Sequence, residues 1–317
     1  MGGAPRSMAL LGPQHDRPIL RDVLGRLGAR GPFVLVSAGW EERESETGRL
    51  EAHLGEPATS LDLWPRCEAA FEADAGLRQL MFDRHDRMKG LAGVYRVRLA
   101  AELAAARELM GRTRPGEPDE LVDPALEQAC RALRELDDHH CARVRELNES
   151  VFERAGARPS LQRDREQIAE TLAGAGTLLV AGGHVGILYN RMRLFDVAGT
   201  LPGSTPIVGW SAGAMVLTER ILLFHDSPPQ GPGDAEVLGP GLGLAPGLVC
   251  LPHAATRLDL EDRGRVSLLS RRLAPDLVVT LDGGEALVSE GPRWAGAGAR
   301  RLGRDGALAA HSMGAGA

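Results

Sequence analysis

At 317 residues, 43% hydrophobic and 25% charged, the chain has the composition of a globular protein rather than a disordered one. Its formal net charge of −6 excludes the basic electrostatic footprint of a typical nucleic-acid binder, and no apolar run approaches the roughly 18 residues of a membrane span. Lys89 is the single lysine, so a serine–lysine dyad, a Schiff base or a phosphate-loop lysine would each have to use that residue.

Met1–Ser7 lacks the apolar core of a signal peptide. Cys67, Cys130, Cys141 and Cys250 show no CxxC spacing and read as free, buried thiols of a cytoplasmic protein, with no metal site expected. Met8–Leu11 and Pro32–Ser37 are short apolar runs followed by turn residues, as buried parallel strands are. Ser60–Leu63 suggests a third strand. From about Arg66 to Arg158 the chain turns rich in Ala, Leu, Glu and Arg. Leu99, Leu103 and Met110 fall at helical spacing there, and Leu133, Leu136, His140, Val144, Leu147 and Val151 form the stripe of a second long helix. Gly111–Pro118 breaks the two, and Pro124 suits the first turn of the second. The expectation is one α/β hydrolytic domain over residues 1–317, carrying a helical insertion over 66–158. His140, on the apolar stripe, reads as a core histidine. His85, His139 and His184 read as surface or supporting residues.

The α/β pattern resumes with a strand at Gly176–Val180, which runs into Ala181-Gly182-Gly183-His184, and a helix is predicted over Gly186–Phe195. Pro206–Val208 precedes Gly209-Trp210-Ser211-Ala212-Gly213, with an apolar helix predicted over Ala212–Leu223. Further strands are predicted at Leu248–Leu251, Leu277–Leu281 and Ala286–Val288. Strands alternating with helices argue for a mainly parallel sheet sandwiched by helices.

Gly-x-Ser-x-Gly between a strand and a helix has the layout of a nucleophile elbow, in which small neighbours allow a sharp turn that exposes the Ser211 hydroxyl. The helix N-terminus beneath it offers unpaired N–H groups to a developing oxyanion. His253 follows a predicted strand, on the edge where parallel sheets form their sites, and is the better candidate base. His225 would be carried about 20 Å off by a continuous helix from Ser211. Too few positions separate Ser211 from His253 for the further strand–helix units of an α/β-hydrolase fold.

Gly209-Trp210-Ser211-Ala212-Gly213-Ala214 resembles the nucleophile segment of the dipeptidase E/cyanophycinase family, Gly182-Gly183 its oxyanion segment and Pro252-His253 its histidine segment. The resemblance covers about residues 165–290. It implies a class I glutamine amidotransferase-like fold and a serine peptidase acting on small peptides. It places the triad acid at Asp226, ahead of Pro228, if the dipeptidase branch is followed, or at Glu285 if the cyanophycinase branch is. The Gly183 and Ala212 N–H groups would form the oxyanion hole, with Gly182 and His184 against the substrate. Arg257, Arg263 or Arg265 could bind an acidic side chain. The chain departs from the family in His184-Val185 after the glycine pair, in Ala254 after the histidine and in the helical insertion. No cofactor is required by this chemistry, and a homodimer is left open. Two other readings remain: an acyltransferase or esterase on the same fold, and a non-catalytic binding module.

Overall fold

The computed structural model describes residues 6–113, 119–226, 233–290 and 293–311. Met1–Pro5, most of the Gly111–Pro118 break and Pro228 lie outside them. In chain order the strands are β1 (Met8–Leu11), β2 (Phe33–Val36), β3 (Ala58–Ser60), β4 (Thr177–Val180), β5 (Ile207–Trp210), β6 (Arg220–Leu223), β7 (Glu236–Pro240), β8 (Leu248–Pro252), β9 (Leu277–Leu281), β10 (Ala286–Glu290), β11 (Arg293–Ala297), β12 (Arg300–Leu302) and β13 (Leu308–Ala310). The helices are α1 (Leu20–Leu27), α2 (Gly48–Leu54), α3 (Leu63–Ala73), α4 (Ala75–Met110), α5 (Val122–Gly156), α6 (Pro159–Ala173), α7 (Val185–Leu194), α8 (Val197–Thr200), α9 (Ala212–Leu217), α10 (Ala254–Arg257) and α11 (Arg263–Leu273).

Among the described residues the main sheet has the order β11-β10-β1-β5-β4-β2-β3. The strands from β1 to β3 in that order are parallel, and β10 and β11 close one edge antiparallel. Every residue of β1, β2, β4 and β5 is buried, because helices cover both faces. Side-chain alternation splits the core in two: Met8, Leu10, Val34, Val36 and Val180 face α7 and α9, whereas Ala9, Leu11, Phe33, Leu35 and Leu179 face α1. The expected helix-sandwiched parallel sheet is therefore present. A second sheet, β13-β12-β9-β8, contains the parallel pair β8–β9, and β6–β7 form a separate hairpin.

The helical block is larger than its sequence bounds: α3 opens at Leu63 and α6 runs on to Ala173. The 36 residues of α4 span about 54 Å at 1.5 Å per residue. The predicted α5 stripe is buried from Leu133 to Val151, and its Leu133, Leu136, Leu147 and Val151 belong to the same continuous core as the α7 face of the sheet. His140 is in that core, stacked on Tyr95 at 4.2 Å between ring centroids. A buried network ties the block to the rest. Arg272 of α11 donates to both carboxylate oxygens of Asp137, at 2.7 and 2.8 Å, and to Tyr95 Oη at 2.8 Å, while Tyr95 donates to Asp137 at 2.8 Å. All four cysteines are free and buried.

Two elements differ from expectation. The third strand is Ala58–Ser60, and Leu63 already begins a helix. The helix after Ser211 stops at Leu217. Thr218 turns extended there and its hydroxyl donates to main-chain carbonyls of Met215 and Arg220, and Arg220–Leu223 becomes a strand. Apolar runs of this length carry no periodicity that separates buried helix from buried strand.

Candidate active site

The carboxyl ends of β2, β4, β5 and β8 converge on a cleft of about 1330 Å³, lined by Trp40, Gly183, Ser211, His225, His253 and Arg257 among others. Ser211 sits where β5 ends, at φ 51° and ψ −119°. Non-glycine residues in that region carry about 1–3 kcal/mol of strain, stored where the surroundings over-determine the turn. The flanking glycines show why. A Cβ on Gly213 would lie 2.1 Å from the Val180 carbonyl oxygen, and one on Gly209 would lie 2.6 Å from Leu217. Only hydrogen at both positions lets α9 pack this tightly on β4 and β5.

His253 follows β8 in left-handed conformation, φ 60°, a region in which histidine is enriched several-fold over most residues. Its Nε2 lies 3.4 Å from Ser211 Oγ. That is a loose hydrogen bond of the kind that tightens only when substrate binds. Burial first, then the Arg257 guanidinium, holds the imidazole below its ordinary value; Asp282 opposes this and His15 adds to it. His253 is therefore neutral at pH 7, the state in which it can accept the serine proton.

Gly182 and Gly183 pass directly beside the nucleophile: a Cβ on Gly182 would lie 2.9 Å from Ser211 Cβ and 3.6 Å from Ala212 N. Gly183, at φ 107°, approaches Gly39 so closely that a Cβ would meet the Gly39 carbonyl oxygen at 2.2 Å. The N–H groups of Gly183 and Ala212 have no hydrogen-bond acceptor among the described residues. His184 is engaged elsewhere: its Nδ1 accepts from Ile187 N–H at 3.2 Å, capping α7, and it is not among the residues lining the cleft. Arg257 lines the cleft, its guanidinium 5.9 Å from the Phe224 ring centroid.

Among the described residues neither candidate acid hydrogen-bonds to the imidazole, and Asp282 does not either; each carboxylate is held by other groups. Asp226 accepts from Arg265 Nη2 and from Asp259 N–H, both at 2.7 Å. Glu285 turns back on its own loop, accepting from Asp282 N–H at 2.7 Å and from the Thr280 hydroxyl at 3.2 Å. Arg265 is thus committed to Asp226, and Arg263 opens α11. His225, in contrast, lines the same cleft, because the chain folds back after Leu217 instead of continuing as helix. Asp282, which sequence reasoning passed over beside Glu285, accepts from Ala255 N–H at 3.1 and 3.3 Å, next to His253. Among the described residues no group of three or more His, Cys, Asp or Glu is arranged to hold a metal ion, and no helix is long and apolar enough to cross a membrane.

The sequence model of peptidase family S51 matches residues 135–295, just over half of the chain. No curated protein matches. Among solved structures, a peptidase from an acI-B1 Actinobacterium is similar at 12% identity and a TM-score of 0.47, over 96% of this chain and 93% of that one. A protein of Listeria monocytogenes EGD-e, provisionally assigned as peptidase E, is similar at 15% identity and a TM-score of 0.31, over 44% of this chain and 65% of that one. The family match, rather than these loose overlays, carries the assignment.

Proposed function

Because the chain belongs to peptidase family S51, a family of serine peptidases, we propose that it hydrolyses an amide bond in a small peptide, in the manner of dipeptidase E, with Ser211 as nucleophile and His253 as general base. The observation that carries this reading is the 3.4 Å approach of Ser211 Oγ and His253 Nε2, on two turns whose positive φ angles aim both side chains into one cleft.

His253 Nε2 takes the hydroxyl proton as Ser211 Oγ attacks the scissile carbonyl carbon. The oxyanion that forms accepts from the Gly183 and Ala212 N–H groups, which have no competing acceptor among the described residues. The imidazolium then gives its proton to the departing amine, and water attacks the acyl-serine by the same route. Gly182 shapes the wall against the nucleophile. Arg257 supplies a positive charge at the cleft wall, suited to an acidic side chain of the substrate.

A fluorophosphonate probe tests the reading without knowledge of the peptide. Wild type is expected to label, Ser211→Ala to lose labelling entirely and His253→Ala to lose most of it, all three with intact folding. Equal labelling of Ser211→Ala would sink the assignment. A panel of α-aspartyl and β-aspartyl dipeptides then sorts the peptide specificity.

A further inference from the structure

We propose that Asp282, rather than Asp226 or Glu285, is the carboxylate that positions His253 and supports its protonated form, an inference that rests on the Ser211–His253 reading above. The first observation is strand register. β8 and β9 pair in parallel with Pro252 opposite Leu281, so His253 and Asp282 are the next residues on each strand and leave the sheet side by side. His253 N–H donates to the Leu281 carbonyl at 3.3 Å, which keeps the two chain ends together past the last strand pair.

The second observation is what fixes the carboxylate. Both oxygens of Asp282 accept from Ala255 N–H, at 3.1 and 3.3 Å, two residues beyond His253 in the turn that carries the imidazole. The side chain is 19% exposed. Its own main chain is held in turn: Asp282 N–H donates to Glu285 Oε2 at 2.7 Å, and the Thr280 hydroxyl donates to the same oxygen. Glu285 therefore braces the turn that presents Asp282.

The third observation is the charge around the imidazole. The Arg257 guanidinium and the His15 ring lower the imidazole, whereas Asp282 raises it and is the one carboxylate among the described residues that does so appreciably. Arg300 Nη2 lies 3.6 Å from Asp282 Oδ2. Asp226, on the segment after β6, is neutralised by Arg265, and Asp234 at the cleft rim is likewise engaged by Arg107 and Arg265. His225 lines the cleft from that same segment. When His253 takes the Ser211 proton, a positive charge appears in the cleft that Arg257 also lines. Asp282 is the group placed to offset it.

The test measures the second-order rate of fluorophosphonate labelling against pH for wild type, Asp282→Asn, Asp282→Glu, Asp226→Asn and Glu285→Gln. Asparagine keeps an oxygen for Ala255 N–H and removes only the charge. Asp282→Asn is expected to label about 10²-fold more slowly or worse, a loss typical of general-base machinery, and its acidic limb should move to lower pH, because loss of the carboxylate lowers the imidazole further. Asp282→Glu should recover much of the rate and return the limb towards wild type. An unchanged rate and limb in Asp282→Asn would overturn the proposal. So would a slower rate with an unmoved limb, or a limb that moves instead in Asp226→Asn or Glu285→Gln. Failure of wild type itself to label would sink the Ser211–His253 reading, which separates the two failures.

Discussion

Polar groups are kept beneath the surface in two opposite ways in this molecule. At the ends of β5 and β8, Ser211 and His253 are half-buried, held at positive φ and joined by one loose contact. Where α5 meets α11, Arg272 and Asp137 are 2% and 0% exposed, and each guanidinium nitrogen has an acceptor: Asp137 for Nε, Asp137 and Tyr95 for Nη2, and the Ala235 carbonyl for Nη1. The first arrangement stores strain and leaves capacity unused for a substrate. The second pairs four of the five guanidinium N–H groups and holds the block in place. Satisfied buried ion pairs specify a packing geometry, whereas under-satisfied groups facing a cleft are what chemistry needs.

Ser211, at the elbow, separates the two arrangements most sharply. Ser211→Gly is expected to abolish turnover of a cleavable dipeptide by about 10⁴-fold or more while raising stability by about 1 kcal/mol, since glycine accepts the conformation that serine endures. Calorimetry beside an activity assay checks both, and a destabilised Ser211→Gly would mean the turn is not strained. The mirror image is Asp137→Ala. It leaves Arg272 charged and unpaired in the core and is expected to cost about 3–5 kcal/mol, read by urea denaturation, while the folded fraction still labels with the phosphonate. A variant that is equally stable would show that the network is dispensable to the fold.

Glu44 tests the same contrast at smaller scale. It is 2% exposed; one oxygen accepts from Trp64 N–H and the other has no partner among the described residues. Burial pushes its carboxyl up from an ordinary 4.5 to about 7. Above pH 4.5 the unfolded chain releases this proton while the folded chain retains it, so stability falls as pH rises until the folded value near 7 is passed. Glu44→Gln should remove that slope and stabilise the protein at pH 8 by on the order of 3 kcal/mol or less, seen as a melting temperature that depends less on pH. An unchanged pH dependence would place the slope elsewhere.

Much of this was legible in the chain because the physics is local. Short apolar runs closed by turn residues mark buried strands, and β1, β2, β4, β5, β8, β9 and β10 all follow them. The spacing of Leu133, Leu136, Val144 and Val151 marks a helix face. Gly209 and Gly213 around Ser211 mark a turn that admits no side chain, and Pro252-His253 at a strand end marks a residue aimed at the cleft. Local pattern failed where two conformations bury the same side chains equally well. That is why Ala212–Leu223 reads as one helix yet splits after Leu217, and why His225 reads as remote yet lines the cleft.

The partners of the carboxylates were decided by tertiary structure alone. Asp226, Asp282 and Glu285 are alike in a sequence: acidic, near glycine or proline, close to predicted strand or helix ends. Two of them meet their partners through strand register or a distant helix, Arg265 for Asp226 and the His253 turn for Asp282, whereas Glu285 is held within its own loop. The division of β8 and β9 into a second sheet, which sets Asp282 rather than Glu285 beside His253, has no periodic signature either. Backbone conformation follows from neighbours a few residues away and so can be read along the chain. Which charge faces which depends on how sheets and helices stack, and that is fixed only when the whole core closes.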